Sequence, residues 1–218
     1  MTTNDARPRI RLFRPDDRDA MADICMRTAE VGGDARHLYK DQDLMPDIFA
    51  LPYAYLEPDL AFVLDDGGRA VGYVVAASDT PRFVKEFRER WLPLVAERHP
   101  APKGEPATSD EQMAALLHWP ERMIVPQIAD YPAHLHVDLL PDYQGRGYGR
   151  RLMFTLFDVL ARAGAPRVHL AMVTANTKAR AFYDRIGFRV LDVPDPGVLT
   201  FLGRETALTP PERTRLAE

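Results

Sequence analysis

The segment from His134 to Gly164, HLHVDLLPDYQGRGYGRRLMFTLFDVLARAG, limits the fold more than any other part of the chain. His134 to Leu140 alternates strictly between apolar and polar residues before Pro141 ends the run, and that period belongs to a strand. Glycines follow at 145, 147 and 149. Tyr148, Leu152, Leu156 and Leu160 then recur every four residues, with Met153, Phe157 and Val159 beside them. This is a helix with one buried stripe, and Gly164 stands where a helix C-cap belongs. A helix that starts directly after a glycine turn points unpaired N–H groups and its positive dipole end at one spot. Glycines let a ligand approach the backbone without meeting Cβ atoms. Arg146, Arg150 and Arg151 add cationic reach, so the expected ligand is a phosphate or diphosphate.

The rest of the chain frames this unit. Arg9 to Phe13 alternates, and the helical pattern of RPDDRDAMADICMRTA follows, with Asp16 or Asp17 as its cap. Ala61 to Leu64 and Ala70 to Ala77 read as a hairpin about Asp65-Asp66-Gly67-Gly68. The stretch 79–130 carries both tryptophans and helical patterns such as PRFVKEFRERWLPLVAERH, but no strand. Downstream, RVHLAMV reads as a buried strand and NTKARAFYDRIG as a short helix ending at Gly187. Phe188 to Val193 and Val198 to Leu202 close a hairpin over PDPG. The expectation is one mixed α/β (α+β) domain over 1–207, in which 79–130 is a long helical insertion. A polar tail, 208–218, is expected to fray.

Composition narrows the function classes. The chain has 218 residues with 46% hydrophobic and 28% charged, the balance of a soluble globular protein. A formal net charge of −4 argues against a nucleic-acid binder. No apolar run approaches the ~20 residues that span a bilayer. The single cysteine and the polar N-terminus fit a reducing, cytoplasmic setting. No membrane or nucleic-acid partner is expected. Exposed sheet edges leave a homodimer open.

Three kinds of phosphate loop compete. A P-loop needs Lys followed by Ser or Thr after its last glycine, and here Arg150-Arg151 follow Gly149. A dinucleotide fingerprint needs G-x-G-x-x-G and a carboxylate about 20 residues on. This chain has G-x-G-x-G and no carboxylate between Asp158 and Asp184. The remaining pattern, Q/R-x-x-G-x-G/A, is met by Gln144, Gly147 and Gly149. It resembles the pyrophosphate loop of the GNAT acetyltransferases. Downstream, NTKARAFYDRIGF resembles the second half of the same signature at Asn176, Ala179, Phe182, Tyr183, Gly187 and Phe188.

The resemblance covers Arg9 to about Arg204 and implies a GNAT fold: a mixed sheet that splays beside the glycine loop, with acetyl-CoA in the gap. It implies cofactor contacts at Leu139, Leu140, Gln144, Gly145, Arg146, Gly147, Tyr148, Gly149, Arg150, Asn176 and Tyr183. The main-chain N–H groups near Leu139 and Leu140 would meet the oxyanion and pantetheine. A narrower likeness joins AFVLDDGGRAVGYVVAASDTPRFVKEFRERWLPLVAERHP to the acetyltransferase-like C-terminal domain of animal O-GlcNAcases. The phosphate loop of that domain is eroded, whereas this chain keeps every glycine.

Acetyl transfer to an amine requires loss of a proton from nitrogen, a donor to the tetrahedral oxygen and a proton for the departing thiolate. By resemblance Tyr183 is the general acid. The base comes from the face shared by His134, His136 and Asp138, with Asp138 first and His136 second; the same pattern also fits a solvated strand face. Cys25, between Ile24 and Met26 with no neighbouring histidine, reads as packing rather than a nucleophile. The expectation is direct transfer in a ternary complex to a small-molecule or peptide primary amine, with no metal. Two rivals stand beside it. One is a module that binds acetyl-CoA or a partner without catalysis. The other is a metal-dependent hydrolase built on His134, His136 and Asp138. For the acceptor, Asp79 and Trp91 are the individual candidates. The acidic stretch with Asp34, His37, Tyr39, Asp41 and Asp43 suits an ammonium or is a solvated loop. The pocket is expected between the first helix region and the insertion.

Overall fold

The run of Arg69–Ala77 becomes the centre of the fold because it is apolar on both faces. Tyr73, Val74, Val75, Ala76 and Ala77 are all fully buried, so layers must cover both sides. The computed structural model describes residues 7–217. Its strands are β1 (Arg9–Leu12), β2 (Ala61–Asp66), β3 (Arg69–Ala77), β4 (Ala133–Leu139), β5 (Arg167–Val173), β6 (Arg189–Val190) and β7 (Leu199–Glu205). They form one sheet in the order β1-β2-β3-β4-β5-β7-β6. Every neighbouring pair is antiparallel except β4 and β5, which run parallel.

The helices are α1 (Arg18–Met26), α2 (Leu44–Phe49), α3 (Leu51–Leu56), α4 (Thr80–Glu86), α5 (Leu92–Val95), α6 (Ser109–His118), α7 (Tyr148–Arg162), α8 (Thr177–Arg185) and α9 (Pro210–Ala217). The apolar stripe of α7 is wholly buried at Leu152, Met153, Leu156, Phe157 and Leu160, and α7 packs across β2, β3 and β4. The opposite face of β3 receives α1 and α3. No strand occurs between Asp79 and Asp130 among the described residues, which fits the helical reading of the insertion. None of the described helices is long and apolar enough to cross a membrane.

Two local expectations differ from the structure. Asp17 precedes α1 but does not cap it with its side chain; its carboxylate accepts from the Arg14 N–H at 2.8 Å and from Arg11 instead. Nor is the segment after Leu208 frayed. Thr209-Pro210-Pro211-Glu212 is a capping sequence, with proline at the first helical position and glutamate three residues after the cap. Glu212 accepts from the Thr209 N–H at 2.8 Å and pairs with Arg204 of β7 at 2.9 Å, and α9 packs against α7.

Arg11 ties the first edge of the sheet together. Its guanidinium reaches Asp65 on β2 at 2.5 Å and Asp17 at 2.6 Å, and both carboxylates are buried. Burial pushes each carboxyl upward, but hydrogen bonds from Arg11 and from the Arg14 and Gly68 N–H groups outweigh it and leave both below the usual range. A depressed carboxyl stabilises the fold above its unfolded value of about 3.9 and loses that contribution as pH falls through the folded value. Arg11→Ala should therefore destabilise the protein by about 3–5 kcal/mol, because it strands two buried charges. Urea unfolding at neutral pH checks the loss, and the deficit should shrink below pH ~4 as those carboxylates take up protons.

Candidate active site

The site arises where β4 and β5 part. Their parallel pairing is confined to Ala133↔Val168 and His134↔His169; beyond it, the two strands diverge, leaving a cleft of about 970 Å³. The second half of β4, the glycine loop and α8 all line it. Gln144 closes the loop by donating its side-chain amide to the Leu139 carbonyl at 2.8 Å. Gly145 and Gly147 have φ of 70° and 85°, a left-handed backbone that costs other residues about 1–2 kcal/mol. Gly147 is the N-cap of α7 and offers no side chain to the first turn. The N–H groups that open α7 therefore face the cleft side without a capping acceptor.

Arg150, Lys178, Arg185 and Arg215 add positive charge to the cleft wall. The donor set, the exposed helix start and the cationic rim fit a diphosphate. Gly145, Gly147, Gly149, Gln144, Arg150, Asn176, Leu139 and Tyr183 all line the cleft, whereas Leu140, Arg146 and Tyr148 do not. Leu140 donates its N–H to the Val71 carbonyl at 3.1 Å and has no amide hydrogen left for a ligand. Alternation along the ladder turns the neighbouring Leu139 amide the other way, toward the gap. Tyr148 packs against the core beside Tyr143.

Tyr183 is aimed by the way α8 ends. Gly187, with φ of 87°, lets the chain reverse, so that the Phe188 N–H reaches the Tyr183 carbonyl at 3.0 Å and the Gly187 N–H reaches that of Asp184 at 3.2 Å. These are the two bonds of a Schellman cap. The accompanying apolar contact is made by the rings of Tyr183 and Phe188, whose centroids lie 5.4 Å apart. Burial, with the Asp138 charge, pushes the phenol upward, so it carries its proton at neutral pH. At the other end of α8, Asn176 accepts from the Ala179 N–H at 3.0 Å.

On the face shared by His134, His136 and Asp138, His134 is buried, while His136 and Asp138 are half-buried and border the cleft. Asp138 Oδ2 accepts from the Tyr73 hydroxyl at 2.6 Å and Oδ1 from Thr28 at 2.9 Å. Burial raises this carboxyl, and the two hydroxyls pull it back only in part. His136 lines the cleft, with Nε2 3.1 Å from the Tyr53 hydroxyl; burial and Arg122 hold it down to about 4. His134 lies deeper, its two nitrogens against Thr80 and Tyr53. His134 is thus engaged at both ring nitrogens and His136 at Nε2. Cys25 is buried and its thiol pushed up by that burial, which suits packing.

The expected acceptor residues fall elsewhere. Asp79 caps α4 by accepting the Arg82 N–H at 2.8 Å, and Trp91 is buried, donating its indole N–H to the Asp47 carbonyl at 2.8 Å. Asp34 pairs with Arg36, and Asp41 with His99. Neither Asp79 nor Trp91, nor any residue of 79–130 or of that acidic stretch, lines the cleft. The end of α1, the loop after it and α2 contribute Thr28, Ala29, Val31, Met45 and Phe49 to the cleft wall. Thr28, Tyr53 and Tyr73 were missed because they reach β4 only through tertiary packing.

Comparison with known proteins agrees with this geometry. The model of the acetyltransferase (GNAT) family matches residues 109–188. The crystal structure of SsHAT is 58% identical, covers 93% of this chain and 100% of that one, and superposes with a TM-score of 0.91. Protein O-GlcNAcase of Rattus norvegicus is 22% identical over 180 residues, which is 82% of this chain but 20% of that protein; the chain thus spans about a fifth of the O-GlcNAcases it matches. The structure of yncA, a putative acetyltransferase from Salmonella typhimurium with its cofactor acetyl-CoA, shares the fold. It is 18% identical, covers 94% of this chain and 96% of that one, and has a TM-score of 0.55. The chain belongs to the GNAT acetyltransferase family.

Asn176→Ala should cost about 1 kcal/mol by removing the cap of α8, whereas Asn176→Asp should restore most of it. Thermal unfolding of the two variants measures the difference.

Proposed function

We propose that this protein binds acetyl-CoA at the glycine loop and transfers the acetyl group directly to a primary amine in a ternary complex. The observation that carries the reading is one cleft bounded both by the left-handed glycines before α7 and by Tyr183. The N–H groups at the start of α7 and the basic wall would take the diphosphate. The inward amide of Leu139 would donate to pantetheine or to the developing oxyanion.

In the chemical step the amine nitrogen attacks the thioester carbon, forming the C–N bond while the C–S bond breaks. The protonated phenol of Tyr183 supplies the proton to sulfur. The proton lost by nitrogen goes to the face that carries His136 and Asp138. Burial of Cys25 favours direct transfer over an acyl-cysteine.

Titration calorimetry with coenzyme A should give saturable heat with one site per chain; absence of heat from folded protein would remove the proposal. Tyr183→Phe should leave that affinity unchanged and slow thiol release from acetyl-CoA on the order of 10²-fold. An unchanged rate would instead favour a binding module without catalysis. Cys25→Ala should keep turnover within about twofold, and its loss in a folded variant would point to an acyl-enzyme.

A further inference from the structure

A chain of contacts from Thr80 through His134 and Tyr53 to His136 fixes where the protons sit beside the cleft. Thr80 Oγ1 lies 2.8 Å from the Pro132 carbonyl oxygen. A carbonyl has no hydrogen to give, so the single hydroxyl hydrogen of Thr80 fills that contact. The same oxygen lies 2.8 Å from His134 Nδ1, and this second contact needs a hydrogen from the ring. His134 is packed among the rings of Tyr53, Phe83 and His169. Burial, with His169, His136 and Arg122 nearby, holds it well below the usual histidine range and therefore neutral.

A neutral ring with its hydrogen on Nδ1 has a bare Nε2. That nitrogen accepts from the Tyr53 hydroxyl at 2.9 Å. With its hydrogen committed there, the Tyr53 oxygen acts as acceptor for His136 Nε2 at 3.1 Å. His136 thus carries its hydrogen on Nε2 and presents a bare lone pair on Nδ1. That nitrogen has no protein partner, and it is open to the cleft rather than sealed. Among the described residues the one buried side-chain atom without a partner is Asp47 Oδ1.

An ammonium would meet the Arg122 cation here, with Asp138 as its one possible counter-charge. Asp138 is the one carboxyl lining the cleft among the described residues; its Oδ2 accepts the Tyr73 hydroxyl, and its Oδ1 lies 2.9 Å from the Thr28 hydroxyl, whose one hydrogen also has the Ile24 carbonyl within 2.8 Å. The groups that face His136 from its surroundings are Arg122, His169, His134, Tyr53 and Asp138. Arg122 stands over Phe49, whose ring meets His136 edge-on at 5.5 Å. The remaining wall on that side, Ala29, Val31, Met45 and Phe49, is apolar.

We propose that the acceptor is a weakly basic primary amine, an α-amino group or an aminosugar, taken up uncharged and held by an N–H···Nδ1 hydrogen bond to His136. Thr80, His134 and Tyr53 are positioning residues that keep that lone pair bare. The proposal rests on the acetyl-transfer reading above. As the C–N bond forms, the amine proton passes to His136 Nδ1 and on to solvent, while Tyr183 protonates the departing sulfur and is reprotonated from solvent. At pH ~7.5 an α-amino group of pKa about 8 is roughly one-quarter neutral, but a lysine amine of pKa about 10.4 is neutral about once in a thousand.

The test has two arms. In the first, alanine amide, glucosamine, Nα-acetyl-lysine amide and putrescine are assayed for thiol release from acetyl-CoA between pH ~6.5 and ~9.5. At pH ~7.5 the first two should react on the order of 10²-fold faster in kcat/KM, and each profile should turn at the pKa of its own amine. A shared inflection for all four, or preference for lysine or putrescine, overturns the proposal. In the second arm, nitrogen-15 NMR of the histidine side chains reads the ring directly. Wild-type His136 should be the Nε2–H tautomer, and Tyr53→Phe should shift it toward a mixture while calorimetric affinity for acetyl-CoA stays the same. An Nδ1–H tautomer in the wild type overturns the relay. Failure to bind acetyl-CoA would strike the acetyl-transfer reading instead, and the NMR arm is independent of it.

Discussion

The structure turns on the short reach of the β4–β5 ladder. Parallel strands normally pair along their length, and here they pair at the base and then diverge. The separation frees the Leu139 backbone from a neighbour on one side, opens a cleft and leaves the start of α7 exposed at its edge. It also leaves His136 and Asp138 bordering open space on a strand whose other edge remains pinned to β3. Without the divergence β4 would be an ordinary buried central strand, and the glycine turn would be a connection with nothing to bind.

Much of this was legible in the residues themselves. Period-two alternation, the glycines and the four-residue apolar repeat locate β4, the loop and α7, because each is a local backbone property. Gly187-Phe188 shows why a motif can be read so directly: one turn ends a helix and sets the phenol of Tyr183, and both effects depend on residues adjacent in the chain. Thr209 to Glu212 was equally readable as a helix start, but the two prolines and the polar composition drew the reading toward a loose tail.

What the sequence concealed depends on distance along the chain. Asp79 looked like a site residue because it ends a strand near the cleft edge, yet its carboxylate answers the nearer demand of the α4 N-terminus. Trp91 looked like a wall of the pocket and is a buried strut. Tyr53, Tyr73 and Thr28 carry no pattern that marks them as partners of β4, since the contacts join residues 65 to 110 positions apart. Alternation did identify the His-x-His-x-Asp face. It could not say which residues pack along this face, nor which hydrogens they impose.

The segment between β3 and β4 stands behind the strand rather than over the opening. It sends Thr80 against the back of His134 and sets Arg122 close to Phe49, while leaving the mouth of the cleft to α1, α2 and the loop after α1. Its length therefore bears little on how a molecule enters. A change of sequence there would be felt as an altered proton position three side chains away, so this segment can retune the chemistry of the site without reshaping its entrance.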